Sequence, residues 1–168
     1  MAKPKTPELE EFFGEHLPYE INMFRASYLL LGTGLLGAVL NNALIESFCV
    51  HARNLIEFFK TKDSCDFDPR AFTVQAYALN KRFIGDSILP KITNQISHLT
   101  VNRTSDNSKK IGSADRKAIA ESVEREIARF KSNLTPDWLA KCKFDAALIV
   151  DIGGGPPSST NAIIASCN

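Results

Sequence analysis

Apolar residues recur every three or four positions along most of this chain, and that spacing predicts helices. From 35 to 60, Leu36, Leu40, Leu44, Phe48, Leu55 and Phe59 fall near one face, with His51 or Ala52 in the gap. The pattern runs for about seven turns, the longest in the sequence. Ahead of it, residues 19–32 carry Ile21, Phe24, Tyr28 and Leu31 at the same spacing, and the Gly32, Thr33, Gly34 run reads as a break or kink. A shorter helix is expected over 7–16. Pro7 suits its first turn after Thr6, and Glu8, Glu10 and Glu11 sit near the positive end of the dipole. Pro18 is expected to stop that helix and start the next.

Beyond 60 the pattern is less regular. Residues 60–69 read as a loop, and 70–83 as either a helix or an irregular cover. A helix is expected over 86–101, capped by Asp86 or Ser87, with Pro90 tolerable in its first turn and Leu89, Ile92, Ile96 and Leu99 as its apolar stripe. The polar stretch 102–112 is a loop. Ser113 and Asp115 open a helix to about 133, with Ile119, Val123, Ile127 and Phe130 on one side and charge on the other. Pro136 starts a last short helix. The expected architecture is an all-α helical bundle of four to five main helices over 1–143. Residues 144–168 form a Gly/Pro/Ser-containing arm or irregular tail, in which Ala147–Ile152 has the makings of a strand.

Composition narrows the function classes. With 168 residues the chain fits one domain able to bury a core. A net charge of +1 supplies no global field for nucleic acid, an anionic membrane or an acidic partner. Residues 26–45 carry no charge and are about the length of a membrane span. Three glycines and two asparagines interrupt the run, no basic cluster follows, and no membrane partner is expected. Cys49, Cys65, Cys142 and Cys167 form no C-x-x-C pair and have no histidine at ligand spacing, so reduced thiols in a cytoplasmic protein are expected, with no metal or cofactor. The N-terminus lacks the apolar core of a secretory signal, so the sequons at Asn102 and Asn133 read as chance. The glycine run in Val150–Gly155 is a weak phosphate-loop signal, because Pro156 and Pro157 remove the next two N–H donors.

Two polar clusters interrupt the apolar faces. On the long helix, Ser47, His51 and Asn54 follow at i,i+4 and i,i+3 and form an edge stripe; Glu46, Arg53 and Glu57 form another. On the later helix, Asn94 and His98 are i,i+4 neighbours, and Arg103 follows. Each cluster alone reads as structural. Together, His51, Arg53, His98 and Arg103 are the residue types for metal-free phosphodiester cleavage. One histidine would take a proton, the other give one, and an arginine would stabilise the charged phosphorane. Glu46, Ser47, Asn54 and Asn94 would bind.

The same residues carry a resemblance. The patterns E-S-F-x-x-H-x-R-x-L-x-x-F (Glu46, Ser47, Phe48, His51, Arg53, Leu55, Phe58) and I-x5-H-L-T-x-x-R (Ile92, His98, Leu99, Thr100, Arg103) resemble small bacterial helical proteins. The layout is similar to the HEPN superfamily. That resemblance implies a helical bundle, often dimeric, in a family that includes metal-independent ribonucleases and toxin components. Active HEPN ribonucleases carry R-x(4–6)-H on one helix. Arg53 has no such histidine, and Lys91, seven before His98, is not an arginine, so the catalytic pair does not carry over. The expected function is a non-catalytic interaction or regulatory module, with a homodimer through the long helices or a protein partner. The alternative is a ribonuclease or RNA-binding protein using the His/Arg cluster.

Overall fold

The computed structural model of the chain describes residues 5–34, 37–60, 67–96, 110–145, 148–151 and 162–165. The elements are α1 (Thr6–Glu11), α2 (Leu17–Leu31), α3 (Ala38–Lys60), α4 (Ile88–Ile96), α5 (Ser113–Ser132) and α6 (Pro136–Lys141), followed by two short strands, β1 (Leu148–Asp151) and β2 (Ala162–Ala165). The protein is an all-α bundle in which α2 packs along α3, and α3 also packs on α4 and α5.

Pro18 does not break the chain. A wide π-turn, Phe12–His16, joins α1 to α2, and the Leu17 N–H donates to the Phe12 carbonyl five residues back. Proline lacks the N–H that a regular turn would use, and its ring crowds the carbonyl four residues earlier. A π-turn at that point accommodates both and keeps the helix running. The extra residue also turns Phe13 inward, where it is fully buried. The break after α2 comes where glycines allow it: Gly34 takes φ +66°, a left-handed conformation that costs glycine little.

The core is aromatic and centres on Phe130 of α5. Phe58 and Phe59 of α3 lie edge-on to it at 5.6 Å each, and Phe144 stacks on it at 6.0 Å. Phe144 is the first residue of the segment expected as an arm, and it is fully buried, so the arm is anchored in the core. Within that arm β1 and β2 pair antiparallel, Leu148 opposite Ala165 and Asp151 opposite Ala162.

Residues 67–85 are an irregular strap, with one 3-10 turn at Pro69–Ala71. Its apolar residues Phe72 and Tyr77 are buried under it. Backbone bonds from Val74 N–H to the Asn133 carbonyl (2.9 Å) and from Thr135 N–H to the Phe72 carbonyl (3.1 Å) stitch it to the α5–α6 turn. The Asn133 side chain, whose sequon reads as chance, donates to the Arg129 carbonyl and closes α5.

Candidate functional site

His51 belongs to the buried side of α3, between Phe48 and Leu55, at the edge where α2 lies alongside. An imidazole there must find a polar partner or destabilise the interface. Glu20 of α2 supplies it: His51 Nδ1 is 2.8 Å from Glu20 Oε2. Asn54 Nδ2, one turn along α3, donates to the same oxygen at 3.1 Å. Tyr19 covers the imidazole edge-on with ring centres 5.7 Å apart. His51 is 8% exposed. An ionised carboxylate only accepts, so Nδ1 carries the proton and the tautomer is set by Glu20. Among the described residues no buried side-chain nitrogen or oxygen lacks a partner.

The edge stripe of the sequence is therefore half of this cluster. His51 and Asn54 meet on one carboxylate; Ser47, half-buried two positions before Cys49, is outside that network among the described residues. Arg53 and Glu46 face away from it. Arg53 donates to Glu57 Oε1 at 2.7 Å, an i,i+4 pair in which the arginine is about one-third and the glutamate about half exposed. Asn94 stands on the last turn of α4. His98 and Arg103 lie outside the described residues, which hold only the α3 part of the two-histidine cluster.

Three further polar clusters were not singled out in the sequence. In the first, Glu126 of α5 is 2% exposed. Arg129 donates to both its oxygens, and the Tyr77 hydroxyl donates to Oε1 at 3.2 Å. The guanidinium also lies 4.4 Å from the Tyr77 ring centre and donates to the Ala78 carbonyl. Burial, reinforced by the Glu126 charge, pushes the Tyr77 hydroxyl well above its ordinary range. The cluster clamps the strap to α5.

In the second, Arg25 of α2 makes a two-pronged contact with Glu124 (2.7 and 2.8 Å) and also donates to the Phe144 carbonyl. Arg25 and Glu124, with Lys131 and Asp145, line an open groove of about 390 Å³ whose charges are paired with one another. In the third, Asp115 accepts from Gly112 N–H and from Lys91, joining α4 to α5. The backbone donor is the main cause that holds its carboxyl below the ordinary value, with Lys91 adding to it.

Cys49 is buried, and burial pushes its thiol up to about 12, which leaves it un-ionised at neutral pH. Among the described residues no group of His, Cys, Asp and Glu is placed to hold a metal ion. No helix among them is long and apolar enough to cross a membrane. Comparison with family models, with curated proteins and with solved structures gave no match.

Proposed function

We propose that this chain is a non-catalytic interaction or regulatory module, a HEPN-like bundle of a cytoplasmic bacterial protein that acts through association with protein. One observation carries the reading. The imidazole of His51, the best-placed acid–base group of the motif, is buried and tied to Glu20 beside Asn54, while Arg53 is tied to Glu57. A histidine used in that way fixes the register of α2 on α3 and holds the hairpin rigid for a partner. Glu46, Arg53 and Val50 then form part of an outward face with no role in the core.

A ribonuclease reading has one point in its favour. The carboxylate holds Nδ1 and leaves Nε2 as the nitrogen for proton transfer, the orientation a general base needs. Two measurements separate the readings: melting of His51→Gln and incubation of the full chain with single-stranded RNA. The interaction module predicts a lowered melting temperature and no RNA turnover by the parent chain. RNA cleavage that His51→Gln abolishes without a change in melting would overturn it.

A further inference from the structure

We infer that the tip of the α2–α3 hairpin docks on a lipid bilayer, entering the headgroup–acyl boundary of one leaflet without a requirement for anionic lipid. The inference goes beyond the interaction-module reading and does not depend on it.

The core stops short of the end of the hairpin. Phe24 and Tyr28 of α2 both meet Phe48 of α3, with ring centres 5.1 and 5.7 Å apart. Ser27 is the last buried residue of α2 and Phe48 the first of α3, and no described residue between them is buried. The tip nonetheless carries large aliphatic side chains. Val39 is 82%, Leu40 59% and Leu29 48% exposed. An exposed apolar cap of this kind marks an interaction site.

Two features choose the occupant. First, the cap is apolar on more than one face. Successive helix residues stand about 100° apart, so Leu29, Leu30 and Leu31 spread over about 200° of α2, and Ala38, Val39 and Leu40 do the same on α3. A helix that docks in a protein groove presents one apolar stripe, whereas one that is apolar all round is surrounded. Second, charge is missing from the cap and stands at its base. No residue from 26 to 45 is charged, and Arg25 and Glu46 bound the run. Arg25 is tied to Glu124 and Glu46 is acidic, so these two charges offer no pull toward anionic lipid. Tyr28 packs on Phe48 at the base of the cap, and an aromatic ring with a polar end suits a membrane–water boundary.

The backbone of the turn also suits an apolar medium. The Gly32 N–H donates to the Tyr28 and Leu29 carbonyls, at 3.3 and 3.1 Å. Thr33 is the one polar side chain between Leu29 and Leu40. Its N–H and its hydroxyl both donate to the Leu30 carbonyl, at 3.2 and 2.8 Å. These three carbonyls near the end of α2 thus have partners within the chain, as a medium without water requires. Asn41 and Asn42 follow Leu40 and set the depth. Their amides belong among headgroups, so entry stops at about 5–10 Å, the depth of helices that lie on a membrane. The glycines and asparagines that argue against a span are compatible with this shallower entry.

The test uses the full chain in flotation with vesicles of pure phosphatidylcholine. The parent should float with them, and to a similar extent when about a third of the lipid is phosphatidylglycerol. Salt at about 0.5 M should not release it. Val39→Glu should weaken binding at least about tenfold. Melting should not change, because Val39 is exposed and an acidic group in the first turn of α3 suits the helix dipole. Val74→Glu, at an exposed apolar position on the strap, should bind as the parent does. Emission of Val39→Trp should shift to the blue on mixing with vesicles, and that of Val74→Trp should not. A chain that never floats overturns the inference, as does binding that Val39→Glu leaves unchanged. So does binding that needs anionic lipid and is lost in salt, which would assign it to a basic surface. A larger species in sedimentation velocity that Val39→Glu removes, without flotation, would give the cap to a protein and overturn the inference too.

Discussion

The bundle has two polar clamps built on the same plan, and they differ in depth. At the α2–α3 interface, Glu20 receives His51 and Asn54, and about a quarter of its side chain remains in contact with solvent. At the strap–α5 interface, Glu126 receives Arg129 and Tyr77 and is almost sealed. A carboxylate in water can replace a lost partner with solvent; a sealed one cannot. The shallow clamp therefore tunes an interface that apolar packing already holds. The deep clamp is required once the strap has closed over the glutamate.

The largest effect should come from the deep clamp. Glu126→Ala leaves the Arg129 guanidinium and the Tyr77 hydroxyl without their acceptor. Because Arg129 is one-third exposed, the loss should fall at or a little below the lower end of the ~3–5 kcal/mol seen when one partner of a buried pair is removed. Urea unfolding measures it. A change no larger than that of a surface substitution would mean that the strap opens and hydrates the cluster at little cost.

His51→Ala comes next, at about 2 kcal/mol, combining a lost hydrogen bond with a partly filled space at the interface. A double-mutant cycle with Glu20→Ala sharpens the comparison. The coupling should be at least ~0.5 kcal/mol if the pair acts as a unit. Additive losses would reduce the shallow clamp to packing alone.

These two clamps were not equally legible in the sequence, and the reason is physical. Helical periodicity locates an apolar stripe and also locates the polar residues at its edge, so His51 and Asn54 stood out on α3. Their acceptor did not, since Glu20 lies 31 positions away on another helix and only packing brings it near. Glu126 carries a signal of its own. It falls beside Ile119, Val123, Ile127 and Phe130 on the buried face of α5, apart from the charge expected on the opposite side. A glutamate within an apolar stripe, with an arginine three residues on, is the mark of a buried pair. The main helices followed from spacing. The π-turn at Pro18 did not, because periodicity registers a phase slip of one residue poorly next to a proline. Local pattern fits the strap to either a helix or an irregular cover; its position depends on backbone bonds to Asn133 and Thr135, which no local pattern reveals.

Tyr77→Phe tests one arm of the deep clamp and should cost about 1 kcal/mol, the net worth of a buried hydrogen bond. It also has a pH signature. The hydroxyl is held protonated in the folded state well above its ordinary value near 10. The unfolded chain releases that proton first, so this contribution is complete below about pH 10 and is lost as pH rises toward the folded value. Phe at this position should flatten the alkaline limb of the stability curve. Cys49 adds a parallel loss between its ordinary value of 9.0 and about 12, so the comparison is best made in a Cys49→Ala background.

Arg53→Ala should show the smallest effect, within ~0.5 kcal/mol, and the effect should shrink with added salt. The contact with Glu57 is short, at 2.7 Å, yet both groups are solvated in the isolated chain and their attraction is offset by hydration. Distance alone would rank this pair with His51–Glu20, which is 2.8 Å. Burial separates them, and the salt dependence is the readout that a packing change would not mimic. A loss above ~1 kcal/mol that persists at high salt would place Arg53 in a desolvated setting.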